Sequence, residues 1–463
     1  GAVTTRNDCG YVSLGRLSLV LLLVLAQWVG CGSSQSDCPE ASCLALTLVV
    51  PPERTLSTIE VMVRDGDRLV RRSLVGSDAA SGGTLKISLP EAPSLPSRRA
   101  VYVRASAEDD RGRSELVGLA VGTRASLGRA VVKLALGCAV APCASPEPRR
   151  GAAMTFVPQT HNLLLHGGVS ASGALLDDLW EWNGLWWHKL SASPGPSARS
   201  QHGFVYDPAS GQVLLFGGQG ANGVLGDSWL LDPLALSWQR VATSSPSARR
   251  LAAIGVGPVG TGRGAVLFGG QDGTGASLGE TWLWDGHGWQ QGSSSLCPVA
   301  PLVPSHLPRC RIGATLVPLP SERESLLIGG WLGPQPTTAF ESDEVIWRFD
   351  GTEWSVAPVY RPPFVLSRYQ HVAASLQSST GTSGVWVGLG DSAVGLRQDS
   401  YLLDESTAQF RPILGTPPSP RAESASAYDA EREEVVIFGG RHDRGLCGDT
   451  LTFSVETGYQ SHL

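Results

Sequence analysis

The chain has 463 residues, 42% of them hydrophobic and 17% charged, which is enough for two folded parts with buried cores behind a leader. Its formal net charge of −6 offers no basic footprint, and nucleic acid is excluded as a partner. No His-Glu-x-x-His pair, phosphate loop or metal-ligand cluster occurs, so no cofactor and no metal are expected.

Residues 1–31 read as a targeting segment. Arg6 and Arg16 give a positive start, Leu17 to Ala26 an apolar run, and Trp28-Val-Gly-Cys31 a small-residue site. The run is too short to span a bilayer comfortably. Gly30-Cys31 followed by Gly32-Ser-Ser-Gln-Ser36 resembles a bacterial lipoprotein cleavage site and tether, although Trp28 stands where leucine is usual. The resemblance implies acylation of Cys31, a tether over 32–43 and a bacterial cell-envelope location. Gly32 after the cysteine resembles lipoproteins sent on to the outer membrane. Plain secretion and an uncleaved anchor are the alternatives.

An exported chain keeps disulfides. Cys38 and Cys43 flank the start of the first folded part and Cys138 and Cys143 its end, and their pairing is open. Cys297 and Cys310 bracket a proline-rich insertion and are expected to pair with each other, leaving Cys447 free or paired outside its domain. No histidine lies near the two CxxxxC pairs, Cys38/Cys43 and Cys138/Cys143, which argues against zinc there.

Residues 44–138 contain no tryptophan and alternate as strands do at 44–50, 59–64, 85–89, 100–105 and 130–136. Short strands with Asp65-Gly66 and Gly82-Gly83 turns predict a small β-sandwich of immunoglobulin-like type. The alanine- and proline-rich stretch 139–148 is a linker.

From 149 to 463 the chain repeats. Short apolar runs end on glycines in Asn162-Leu-Leu-Leu-His-Gly-Gly168, Val213-Leu-Leu-Phe-Gly-Gly218, Ala265-Val-Leu-Phe-Gly-Gly270, Ser325-Leu-Leu-Ile-Gly-Gly330, Val385-Trp-Val-Gly-Leu-Gly390 and Val435-Val-Ile-Phe-Gly-Gly440. Taking Gly167, Gly217, Gly269, Gly329, Gly388 and Gly439 as first glycines, the spacings are 50, 52, 60, 59 and 51 residues, a repeat architecture. An arginine opens each unit: Arg149, Arg199, Arg249, Arg309, Arg368 and Arg421. An acid follows the glycines (Asp178, Asp227, Glu280, Glu344, Asp399, Asp449), then a late aromatic (Trp186, Trp238, Trp289, Trp354, Phe410, Tyr459). Runs without polar alternation predict strands buried on both faces. Asn183-Gly184, Asp285-Gly286 and Asp350-Gly351 predict two-residue hairpins with positive φ at both turn positions. The last of these explains Asp350-Gly-Thr-Glu-Trp354 better than a sialidase-type aspartate box does. One such sheet cannot cover both of its faces, so six pack around an axis.

Arginine, diglycine, acid and late aromatic in this order resemble the kelch repeat, over about 315 residues. The expected fold is all-β: a six-bladed kelch-type propeller over 149–463 preceded by the β-sandwich. The resemblance implies that the six arginines line the central shaft near one mouth. With His202 and His371, three residues after their arginines, they form the candidate ligand-binding set. Blade-joining ion pairs with the six acids are the structural alternative for the arginines, and a structural role that for the histidines. Kelch relatives include a copper galactose oxidase and a six-bladed bacterial periplasmic sialic acid epimerase, but the active residues of neither can be placed here. The expected function is therefore an exported, lipid-anchored, monomeric binding or scaffold protein that recognises a protein or glycan at one propeller face. A carbohydrate-active enzyme of the epimerase or oxidase type is the alternative.

Overall fold

The computed structural model describes the strand backbones between Cys43 and Leu136, and residues 145–462 apart from loop segments of which 298–305, 333–344 and 359–366 are the longest. Cys9, Cys31, Cys38, Cys138, Cys143, Trp186 and Glu344 lie outside the described residues.

The N-terminal unit has two sheets. One joins Gly83–Pro90, Cys43–Val50 and Val131–Lys133, the last two in parallel; the other orders Arg68–Val75, Thr55–Asp65, Arg98–Asp109, Gly112–Thr123 and Ala135–Leu136. Strands Arg68–Val75 and Gly112–Thr123 escaped the sequence reading. Their arginines and glycines blur the alternation that marks a half-buried strand. The sandwich packing expected of this unit rests on side chains outside the described residues.

Six four-stranded antiparallel blades follow, beginning with Ala153–Val157, Asn162–Ser170, Leu175–Trp182 and Trp187–Leu190 and ending with Ala425–Asp429, Glu434–Phe438, Thr450–Ser454 and Gly458–His462; the two-residue strand Arg149–Arg150 adds to the first sheet, and a short hairpin, Arg441–His442 with Gly445–Leu446, intervenes before the third strand of the last. The apolar runs form the second strand of each blade. Because successive side chains of a strand point to opposite faces, each run feeds two cores. Leu164 packs with Val213, Leu215 and Phe204 between blades 1 and 2, whereas Leu163 and Leu165 pack with Val436 and Phe438 between blades 1 and 6. Leu214 and Phe216 in turn meet Ala265 and Leu267 of blade 3. Each pair of neighbouring blades shares one such cluster, so the core is a closed ring of six. A run polar on alternate residues would leave every second cluster empty.

Late aromatics latch each blade to the one before it. Trp187 Nε1 donates to Thr450 Oγ1 at 2.8 Å, Trp289 to Ser228 Oγ at 3.0 Å and Trp354 to Thr281 Oγ1 at 2.9 Å, and the Tyr459 hydroxyl bonds Ser400. The hydroxyl always follows the acid of the repeat. In blade 1 that residue is Leu179, and Trp238 packs instead on the ring of His166, 5.6 Å between centroids. The latch of blade 1 is thus Trp187, not Trp186.

The hairpins before these strands also differ from expectation. Trp284 pairs Trp289 and Phe349 pairs Trp354, which leaves four-residue loops. Only the glycine of each expected turn has positive φ. Asp285 and Asp350 instead accept two backbone N–H bonds each on Oδ1, an Asx-type turn that needs no positive φ at the aspartate.

Cys297 and Cys310 form a disulfide. Cys447, fully buried, is also disulfide-bonded.

Candidate functional site at the shaft mouth

The register arginine of the fourth blade is Arg311, not Arg309. Arg311 Nη1 donates to the Gly329 carbonyl at 3.0 Å, while Arg309 is exposed and its carbonyl accepts from Arg311 Nε. The first-glycine position of the fifth blade is likewise Leu389, with φ of 60°, not Gly388. Both errors follow from aligning on residue type. Arg311 shares the 18-residue spacing of Arg149, Arg199 and Arg421 to their glycine carbonyls, and Arg311-Ile-Gly313 repeats Arg149-Arg-Gly151.

Arg149, Arg199, Arg249, Arg311, Arg368 and Arg421 are at most 1% exposed. Each guanidinium reaches the carbonyl at the first-glycine position of its own blade at 3.0 to 3.3 Å. Five of them also pair with the acid of their repeat: Asp178, Asp227, Glu280, Asp399 and Asp449. Asp399 is held at about 2: burial pushes it up but is outweighed by a hydrogen bond from Arg397 and the charges of Arg368 and Arg397. The acid proposed for the fourth blade, Glu344, lies outside the described residues.

The arginine carbonyls stitch the blades together. Each accepts the N–H at the second-glycine position of the preceding blade at 2.8 to 3.0 Å, from Gly168 N to Arg199 O around to Gly440 N to Arg149 O. A Cβ on Gly217 would stand 2.6 Å from the Arg249 oxygen, which is why glycine recurs there. Two residues after each arginine the chain turns left-handed, at Gly151, Gln201, Leu251, Gly313, Gln370 and Glu423, with φ between 49° and 63°. Their amides form a second closed ring, each N–H donating to the carbonyl of the preceding blade at 2.7 to 3.1 Å, with Gly151 N reaching Glu423 O across the junction of blades 1 and 6. Among the described residues no strand is borrowed from outside the repeats. Closure does not rest on side-chain packing alone, however: both backbone rings cross the junction, and Arg432 adds bonds to His161 O and Asn183 O.

This ring narrows the shaft, and a cavity of about 220 Å³ lies against it, lined by the innermost strands. The side chains above it come from the ring itself, from the residues after the arginines and from those after the diglycines. Glu423 accepts both Arg150 Nη1 bonds at 2.9 and 3.0 Å, Arg441 Nε at 3.0 Å and Gln201 Nε2 at 3.2 Å. Arg441 also binds Asp391, which accepts the Tyr369 hydroxyl at 3.1 Å. Burial and the adjacent Asp391 charge push Tyr369 up to about 12, so it remains a donor. The Trp331 ring lies 5.6 Å from that of Tyr369. Across blades 2 and 3, Arg250 is held by the side-chain oxygens of Gln219 and Gln271.

His202 and His371 lie between blades. His202 Nε2 is 3.1 Å from His166 Nδ1, and His371 Nε2 is 2.8 Å from Thr315 Oγ1. Burial, reinforced by Arg199 for His166 and by Arg368 for His371, pushes both down to about 3; His202 is lowered well below its ordinary value by burial, His166 and Arg199. All three are neutral at physiological pH. The sequence reading thus found the arginine ring but missed the mouth set of Arg150, Arg250, Tyr369, Asp391, Glu423 and Arg441. The available signal was positional: these residues stand one or two places after a repeat arginine or one place after a glycine pair.

Residues 138–299 match the model of the KLHDC2/KLHL20/DRC7 kelch-repeats domain. The chain is 25% identical over 268 residues to acyl-CoA-binding domain-containing protein 5 of Arabidopsis thaliana, covering 58% of this chain and 32% of that protein. It is 29% identical over 140 residues to the Rab9 effector protein with kelch motifs of Xenopus laevis, covering 29% and 36%. The chain therefore spans well under half the length of these relatives. The solved structure of YjhT has the same fold, with a TM-score of 0.51 at 14% identity, covering 69% of this chain and 99% of that one. The closed rings, the diglycine strands and these likenesses together make the C-terminal part of this chain a six-bladed β-propeller, of which the blades within residues 138–299 match a kelch-repeats domain model.

Proposed function

We propose that the propeller is a protein-binding scaffold whose docking surface is the mouth ringed by Arg150, Arg250, Tyr369, Asp391, Glu423 and Arg441. The observation that carries this reading is the rigid mounting of these side chains. Each stands on or beside a closed backbone ring, so a partner meets fixed charges and donors at little ordering cost. The chemistry does not favour catalysis: both carboxylates are bridged by guanidinium groups and Tyr369 is held as a donor. The likeness to a Rab9 effector with kelch motifs supports a protein partner. Trp331 beside Tyr369, with amides nearby, also suits a glycan, the second reading. Arrays of proteins and glycans probed with the full chain bearing Cys31→Ser test the two. Arg441→Ala is expected to abolish the signal, while Leu234→Ser, on a residue 69% exposed in an outer hairpin, leaves it intact. Signal retained in Arg441→Ala would remove the mouth from consideration.

The same reading makes the protein a monomer held at a bacterial envelope through acylated Cys31, with 44–138 as a sandwich spacer. Expressed in a bacterium fed labelled palmitate, the chain is expected to take up label, and Cys31→Ser to lose it and leave the membrane fraction. Two or more acyl chains give stable anchoring, at about 0.8 kcal/mol per buried methylene. A Cys31→Ser form that stays on membranes contradicts the anchor.

A further inference from the structure

We propose that Arg250 anchors a carboxylate of the docking partner, so that the segment received at the mouth is an acidic peptide; the inference rests on the protein-binding reading above. The mouth guanidinium groups are not equivalent. Arg150 and Arg441 are neutralised by Glu423 and Asp391. Among the described residues Arg250 has no carboxylate partner. Its Nε and Nη2 donate to Gln271 Oε1 at 3.1 and 2.9 Å, and its Nη1 to Gln219 Oε1 at 3.1 Å. Both glutamines are themselves fixed. Fully buried Gln271 donates its Nε2 to the Gly275 carbonyl at 3.0 Å, and Gln219 donates its own to the Gly220 carbonyl at 2.9 Å. Each amide thereby turns its oxygen to Arg250.

Two neutral amides orient a guanidinium without cancelling its charge. They sit one place after a diglycine, the position at which blade 5 carries Asp391 after Leu389-Gly390, so an uncharged amide stands where an acid could have neutralised Arg250. Three of the five N–H groups of Arg250 are used and two are left for a ligand. A planar fork held in place is the geometry that takes a carboxylate in two parallel bonds. Arg150, Arg250 and Arg441 against Asp391 and Glu423 leave one positive charge at the mouth of a chain whose net charge is −6. The field there therefore favours an acidic segment over a basic one.

Calorimetric titration of the full chain bearing Cys31→Ser tests this with three probes: the capped peptide Ac-Gly-Asp-Glu-Gly-NH2, its isostere Ac-Gly-Asn-Gln-Gly-NH2, and a heparin tetrasaccharide. The acidic peptide is expected to bind roughly ten-fold or more tighter than the isostere, with affinity falling as salt is raised. Arg250→Gln is expected to lose that preference. Arg250→Lys, which keeps the charge but not the fork, should fall between, and Gln271→Leu should weaken binding because the guanidinium is no longer aimed. The thermal midpoint of Arg250→Gln should fall only modestly, since a buried amide oxygen rather than a buried acid loses its donors. Equal binding of the two peptides, no binding of either, or heparin binding alone through Arg250 overturns the proposal. Should Arg441→Ala abolish an array signal that Arg250→Gln leaves intact, the mouth reading survives and the acidic anchor falls.

Discussion

Asp227→Ala is expected to destabilise the propeller by about 3–5 kcal/mol, the cost of stranding a buried charge. Arg199 is fully buried and donates to Asp227 Oδ1 at 2.7 Å and Oδ2 at 2.9 Å. Its remaining bonds go to the Ser197 carbonyl and hydroxyl and to the Gly217 carbonyl, so among the described residues no second carboxylate pairs with it. The substitution also frees the indole of Trp229, which donates to Asp227 Oδ2 at 2.7 Å. The reverse change is milder. Arg199→Ala leaves an acid whose side chain is 18% exposed and can take up water, so about 1–3 kcal/mol is expected. That ordering, acid removal worse than arginine removal, separates a charge stranded in the blade from a ligand site at its surface. Urea unfolding of both variants measures it. A loss below about 1 kcal/mol for Asp227→Ala would mean that water reaches Arg199 and that the ring contributes little to stability.

The repeat was legible because its parts are obligate. The diglycine recurs wherever a Cβ would strike the neighbouring arginine carbonyl, and the apolar run recurs because each second strand feeds two cores. Register failed where residue type and backbone role part company. Leu389 holds a left-handed position without being glycine, and Arg309 stands near the true ring arginine with the wrong spacing. The mouth was legible only by position. Its residue types differ from blade to blade because they contact a shared axis rather than an equivalent neighbour, so no recurring residue type marks them. The backbone rings that mount them, at Gly151, Gln201, Leu251, Gly313, Gln370 and Glu423, are made of main-chain groups that any sequence possesses.

The propeller is expected to lose stability steeply as pH falls from about 6.5 towards 4, before its carboxylates titrate. His166 and His371 are held at about 3 and His202 well below its ordinary value, because burial denies the charged form a solvent shell. In the unfolded chain a histidine binds its proton near pH 6.5. Between those limits the unfolded state carries more protons than the folded one, so stability rises with pH and falls on acidification. Each histidine contributes roughly 1.4 kcal/mol per pH unit once the pH is well below 6.5, and three give roughly 4. Against a typical total of about 5–15 kcal/mol, that is enough to bring a domain close to unfolding near pH 5. The ring acids act in a lower window: Asp399, held at about 2, adds stability above the usual carboxylate range and loses it only below about pH 4. Thermal midpoints recorded from pH 7.5 to 4.5 check the effect. His371→Gln is expected to remove about a third of the slope, because it deletes one neutral imidazole while keeping a group able to bond Thr315. An unchanged slope in that variant, or a midpoint flat from pH 7 to 5, would mean that the imidazoles take up protons in the folded state and that the blade interfaces around them are open to water.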